Sequence, residues 1–465
     1  MCVCILVQSD STLDIDGRFG RIEFGDNHAK NSAGLYAVTR SHIIVRGDVE
    51  IHSGYATADH AGLSAWDSTI QVSPGLRLHH NMAVAGTGGM YAGLRSAAVA
   101  QGIVIEDNYV LGDKTSYGHG QGGCGIWIFA GSSLVLRDSI LRRNEVARSL
   151  SFACAGSLCL SLSLSLSLSL SLSLSTHTHT LTPPPSPTRP LSVRVLAPCH
   201  DGHPKSLLIS PPRSMHVCTD WLSMATQGLH GSAISTVPYS TPDPTAIVME
   251  DVEITDNYAH RSREEETLGG YGGGARFTIA NVQLSGVLFR NNTAEVVGGG
   301  MSVSSETQLN MTSCAFINNR AQSKGGGLST EGQDVEIQIT STPFQKNIAL
   351  QDEGGCLFLS GKSSASLTDV ELKGCIAGTH GGGASLRGES ELMMKTGVAI
   401  RFCEAIKGMG GGVLAAGQTV MISSDLMSPA IVEKNRARSC CVRVSVCVRV
   451  RMCARACVCT YACRC

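Results

Sequence analysis

Two short stretches of this 465-residue chain gather the residue types that recognise or cut polymers. Asp113, Lys114, Tyr117 and His119 fall in one; Arg261, Arg263, Glu264 and Tyr271 fall in the other, with Glu265 and Glu266 between them. Carboxylates, cations and aromatic rings in one place can hydrogen-bond and stack on a sugar polymer, or dock a protein surface. Glycoside hydrolysis asks for more, because two carboxylates must flank the bond. A lyase needs a calcium-binding carboxylate cluster with a base beside it. The aspartates here are scattered, and Asp107 and Asp256 read as turn residues, so no catalytic residue is assigned. The plain alternative is a pair of tolerated surface insertions whose charges are solvated.

What positions these stretches is a repeat. Asn27, Gly54, Asn81 and Asn108 lie 27 residues apart each time, and the beat resumes at Asn292, Asn319, Asn347, Cys375 and Cys403 with steps of 27 or 28. Asn144, Asn257 and Asn435 hold the same place in their own surroundings. Glycines follow most beats within six or seven residues, as in Gly298–Gly300, Gly325–Gly327 and Gly381–Gly383. A period in this range marks a solenoid. Val335-Glu336-Ile337-Gln338-Ile339 and Val49-Glu50-Ile51 alternate apolar and polar residues, which makes the segments between corners strands with one buried face. No helical period separates them. The expectation is an all-β, right-handed parallel β-helix of about twelve coils. Gly and Asn would sit at corners because both tolerate positive φ, and stacked Asn side chains would bond from coil to coil.

Two coils break the rule: Asn108 to Gly122 spans 14 residues and Asn257 to Gly272 spans 15. Each carries about eight extra residues at the same corner, and Asp107-Asn108-Tyr109 matches Asp256-Asn257-Tyr258. These extra residues are the two stretches above. Loops on one face of a rigid rod are where solenoids place function.

Phe289-Arg290-Asn291-Asn292-Thr293-Ala294 and Phe316-Ile317-Asn318-Asn319-Arg320-Ala321, each followed by three glycines, resemble the Gly-Gly-Gly/Phe-x-x-Asn repeat of the polymorphic outer-membrane proteins. These are surface β-helix adhesins within the pectin-lyase-like superfamily. The likeness covers residues 247–437 well and 22–147 more loosely. It implies a surface or secreted protein that binds glycans or cell-surface proteins without catalysis, as a monomer or part of a longer chain. The alternative is a polysaccharide-active lyase or hydrolase. Gly118-His119-Gly120 resembles the Gly-His-Gly element of the polygalacturonases, whose paired aspartates have no counterpart here. The family's signal peptide and membrane barrel also have no counterpart, so membrane insertion by this chain is not expected. Arg46-Gly47-Asp48 spells an integrin-type tripeptide, but Gly-Asp ahead of a strand is ordinary turn chemistry.

Composition divides the chain. Residues 13–147 and 228–438 read as N- and C-terminal coils of one β-helix. Residues 148–227 hold a strict Leu-Ser alternation from Leu160 to Ser175, and 12 of the 15 prolines fall between Pro183 and Pro244. Alternating Leu-Ser is what a CT dinucleotide repeat encodes, so this segment reads as a translated intron. Asn144 and Asn257 are 113 residues apart, and removing these 80 leaves 33, close to one coil. Residues 1–12 read as a non-native or disordered leader. The tail, 439–465, carries eight of the 19 cysteines in spacings that fit no zinc site, so no metal and no cofactor is assigned. Net charge is −1, which gives no electrostatic case for nucleic acid. Cys375 and Cys403, at one position of adjacent coils, are close enough for a disulfide or are buried free thiols.

Overall fold

The computed structural model describes residues 5–57, 59–84, 86–110, 124–129, 131–146, 233–237, 244–261, 269–415, 419–422, 430–437 and 447–448. Every strand pairing among them is parallel, apart from a single antiparallel bridge, and the described residues include no helix. The chain is a parallel β-helix. Two sheets hold twelve strands each and a third holds 23.

One coil shows the plan. Met301–Ser304 forms the first face, Gln308–Thr312 and Ala315–Ile317 form the two halves of the long second face, and Arg320–Ala321 forms the short third face. Alternation buries Leu309, Met311 and Phe316 and exposes Gln308, Asn310 and Thr312. Phe289, Phe316 and Phe344 stack along the axis, with centroids 4.6 and 4.5 Å apart and rings within 10° of parallel.

Between the second and third faces runs a ladder of buried amides. The backbone N–H and the side-chain Nδ2 of Asn319 both donate to Oδ1 of Asn347, at 2.9 and 3.0 Å. The same Nδ2 donates at 3.0 Å to the Phe289 carbonyl of the coil before. Asn81, Asn108, Asn144, Asn257 and Asn292 each repeat this pattern with the next asparagine. Asn144 bonds directly to Asn257, so the strands on either side of residues 147–232 pair without an intervening coil. The ladder starts where the Gly54 N–H donates to Asn81 Oδ1. Asn27 is buried, and its carbonyl accepts from the Tyr55 N–H.

The turn chemistry differs from the expectation. The residue with positive φ is the one before each ladder asparagine: Asp107 (54°), Asp256 (57°), Asn291 (55°), Asn318 (55°) and Lys346 (54°). The ladder asparagine itself is not left-handed. Its side chain must point inward to bond its neighbours, and the reversal is made one residue earlier by a side chain that points to solvent. Gly47 also has positive φ (74°) but lies inside the strand His42–His52 and not ahead of it, and Arg46 pairs with Asp14 at 2.6 Å.

The glycine run has three separate causes. Gly325 adopts φ 62°. A Cβ on Gly326 would stand 2.4 Å from the Gly355 oxygen and the Ile348 nitrogen, both backbone atoms of the next coil. A Cβ on Gly327 would meet the Phe344 ring at 3.0 Å. Glycine and phenylalanine therefore belong to one packing unit shared between coils.

The cysteines pair differently from the sequence reading. Cys375 is joined to Cys356, with Cα atoms 5.5 Å apart, and Cys403 is a buried free thiol. Cys356 replaces the third glycine of its run and faces inward beside the ladder, which puts it within bonding reach of Cys375. Past the cysteines the ladder resumes, with the Cys403 N–H donating to Asn435 Oδ1 at 2.8 Å.

Asn319→Ala removes one acceptor of two hydrogen bonds, leaves the Asn292 backbone N–H without its acceptor, and takes one partner each from Asn292 Nδ2 and the Phe289 carbonyl. Destabilisation of about 1–3 kcal/mol is expected in a denaturant melt, and a change within error would refute the structural role of the ladder. Gly326→Ala is expected to lower the melting temperature as well, because only backbone could move to admit the methyl group.

Candidate functional site

The corner between the third and first faces is where the chain departs from its repeat. Residues 111–123 join Val110 to Cys124, residues 147–232 join Val146 to Ala233, and residues 262–268 join Arg261 to Gly269. Tyr109–Val110, Glu145–Val146 and Tyr258–Ala259 are consecutive strands of one sheet. The roots of the first and third segments are thus two strand spacings apart, roughly 10 Å. Asp113, Lys114, Tyr117, His119, Arg263 and Glu264 lie outside the described residues. Arg261 bridges to Gly269 at the base of its segment, and its N–H donates to Glu295 at 2.8 Å. Tyr271 belongs to the corner column and not to the long segment: it bridges to Val297, which bridges in turn to Lys324.

Beside these roots the first face carries aromatic rings on its outward side. In Met90–Gly93 and Ile126–Phe129 the core receives Met90, Ala92, Ile126 and Ile128, and strand alternation turns Tyr91, Trp127 and Phe129 the other way. With half-buried Trp66 they form a cluster separate from the core. Tyr91 and Trp127 meet at 5.2 Å, Trp127 and Phe129 at 5.9 Å, and Trp66 and Phe129 at 6.5 Å. His60 stacks on Tyr91 at 3.8 Å. The sequence reading missed this cluster. Its signal was present: after the glycine position, residues two and four of a strand that read Tyr-x-Gly or Trp-x-Phe cannot share the core with residues one and three.

Polar atoms of the cluster and its neighbours are buried. Burial lowers the His60 pKa to about 3, so the ring is neutral, and its Nδ1 is buried with no hydrogen-bond partner among the described residues. Trp127 Nε1 is buried in the same way. Burial raises neighbouring Asp59 to about 6, against a small opposing pull from Lys30. Orphaned donors and displaced pKa values beside aromatic rings are marks of a binding site.

The outward column continues with charge. The Arg276 guanidinium lies 4.6 Å over the Tyr271 ring; burial lowers its pKa to about 10, and its Nη1 has no hydrogen-bond partner among the described residues. Lys324 sits 4.9 Å over Phe358, and Ser385 Oγ donates to Glu353 at 2.9 Å. At the root of the second long segment, His260 lies between two carboxylates, 2.8 Å from Glu145 and 3.2 Å from Glu295. Burial alone would lower its pKa, but hydrogen bonds and charge from Glu145 and Glu295 outweigh burial and raise it.

A second group gathers residues that looked scattered. Glu23 and Glu50 are register partners on the second face, as are Gly25, His52 and His79. Parallel stacking turns a 27-residue separation into contact. The group is remote from the aromatic corner in the coil, since it ends the second face.

The His260 pair sets a pH dependence. A raised imidazole pKa contributes stability fully below the unfolded value of about 6.5 and loses it as pH rises through the folded value. The wild-type advantage over His260→Gln in melting temperature is therefore expected to be largest near pH 5.5 and to vanish in alkaline buffer. An advantage that grows with pH would refute the pairing. Comparison with protein-family models, with curated proteins and with solved structures finds no match, so the likeness to a family rests on the repeat itself.

Proposed function

We propose that this β-helix is a non-catalytic, surface or secreted binding protein of the adhesin type, related to the polymorphic outer-membrane repeats and the wider pectin-lyase-like superfamily. Its ligand is a glycan or a cell-surface protein, held at the corner where the long segments leave the coils. The observation that carries the reading is the outward cluster of Trp66, Tyr91, Trp127 and Phe129 beside the root of residues 111–123. Trp66 is the ring of the cluster with exposed area for a sugar face or an apolar side chain, and the buried Tyr91 and Phe129 stack around it and fix its orientation. A rigid solenoid holds these groups in place before a ligand arrives, which limits the ordering cost of binding.

One observation favours the enzymatic alternative. Asp59 holds its proton to about pH 6, the behaviour of a general acid. No second carboxylate accompanies it among the residues described around the cluster.

Trp66 is only half-buried, so Trp66→Ala leaves the core intact. Binding to immobilised polysaccharides or cell-surface extracts is expected to weaken at least about tenfold, the scale of one aromatic anchor. Deleting residues 112–118 should abolish it, and in both variants the melt should stay unchanged. Unchanged binding in both would refute the site. Turnover of an acidic polysaccharide that disappears in Asp59→Asn would replace this reading with the enzymatic one.

A further inference from the structure

The group on the second face has the make-up of a metal site. Its residues come from three successive coils: Glu23 from the first, Glu50 and His52 from the second, His79 from the third. Carboxylate oxygens of Glu23 and Glu50 and a ring nitrogen of His52 lie within 4.8 Å of one another. His52 Nε2 is 2.6 Å from Glu23 Oε1, and His79 Nε2 is 3.0 Å from Glu50 Oε1. The two imidazoles are stacked 5.1 Å apart and 13° from parallel.

Burial makes the arrangement unusual. The Glu50 side chain is 6% exposed, although it stands on the outward side of its strand. Among the described residues neither its Oε2 nor His79 Nε2 makes a hydrogen bond of good geometry, although both atoms are buried and within ion-pair reach of a partner. Arg21 is in ion contact with Oε2, and Arg77 approaches Oε1 at 4.0 Å. Both arginines are about half exposed and can swing to water without moving backbone.

The far ring nitrogens are occupied in the way metal-bound histidines need. His52 Nδ1 is 3.1 Å from Ser53 Oγ, and His79 Nδ1 is 2.7 Å from His80 Nδ1. When those Nδ1 atoms carry the protons, both Nε2 lone pairs face carboxylate oxygens, which is repulsive unless a cation lies between them. Gly25 completes the design. A Cβ there would come within 2.5 Å of the His52 ring, so only glycine lets the imidazole lie over its strand toward Glu23.

We infer that Glu23, Glu50, His52 and His79 bind one divalent transition-metal ion of the zinc class, with Arg21 as the competing cation in the metal-free protein. Two imidazoles and two carboxylates suit zinc, cobalt or nickel, and the imidazoles argue against calcium or magnesium, which take oxygen. Bonds of roughly 2.0–2.2 Å call for the four side chains to close inward, a change of side-chain torsion and not of strand register. Ligands from three coils would make the ion a staple across three consecutive turns of the solenoid.

The test uses the full chain, whose many cysteines and other histidines can also take up metal, so the readout is a difference. Zn2+ or Co2+ uptake is measured by equilibrium dialysis for wild type, His52→Ala, His79→Ala and Arg21→Ala. Wild type is expected to bind one equivalent more than either histidine variant. With Co2+ that equivalent should show visible d–d bands and no thiolate charge-transfer band. Arg21→Ala, a surface change, should bind it several-fold more tightly, and Zn2+ should raise the melting temperature of wild type but not of His52→Ala. Equal uptake and affinity in wild type and both histidine variants would overturn the site, leaving an ion-pair network only. So would Arg21→Ala binding no more tightly than wild type, which remains decisive if a histidine variant fails to fold.

Discussion

Burying the backbone of a β-helix corner removes N–H and C=O groups from water, and each one left unpaired costs on the order of 1–3 kcal/mol. The asparagine ladder answers that constraint. One side chain accepts twice through Oδ1 and donates twice through Nδ2, so it serves three groups of the coil before it and the asparagine of the coil after it. No aliphatic residue could occupy the position without orphaning several groups at once. Register follows from the same bonds. A slip of one residue would break every rung and turn Phe316 and its equivalents outward. Where Cys375 and Cys403 interrupt the ladder, a disulfide to Cys356 and sulfur contacts to the backbone take its place.

Once the corner is held, the other repeat residues become dependent on it. The glycine run lies against the strand that follows the next asparagine, so its missing side chains make room for a backbone whose place the ladder sets. Serine hydroxyls hold a second corner in the early coils, where the Ser41, Ser68 and Ser96 N–H groups donate to the hydroxyls of Ser68, Ser96 and Ser132. Two corners tied by short side chains fix the coils on one another and so hold the groups they carry in register.

That register bears on function. The extra residues 111–123 and 262–268 both fall at the corner joining the third face to the first, and loops accept such insertions at small cost. Aromatic rings, an unpaired histidine and a buried arginine are tolerated on the outward side of the first face because the core on the other side is already complete. The Glu–His group on the second face exists for a related reason: parallel coils with a constant stride place every twenty-seventh residue side by side.

The stride of 27 or 28 residues determined the architecture, because a fixed period with alternating polarity admits little besides stacked coils. Ladder positions such as Asn108, Asn319 and Asn347 were legible for the same reason, and so were the two coils with extra residues. Which residue turns the corner was not legible, since Asp107 and Asn108 are both good turn formers and only hydrogen bonding decides which faces inward. The Cys356–Cys375 pairing depends on where a glycine-run position lands relative to the ladder, a distance across the coil that spacing along the chain does not encode. The aromatic cluster and the Glu23, Glu50, His52 and His79 group likewise needed three dimensions. Each residue is unremarkable in its own segment, and proximity arises only when parallel stacking sets the register and alternation chooses the side.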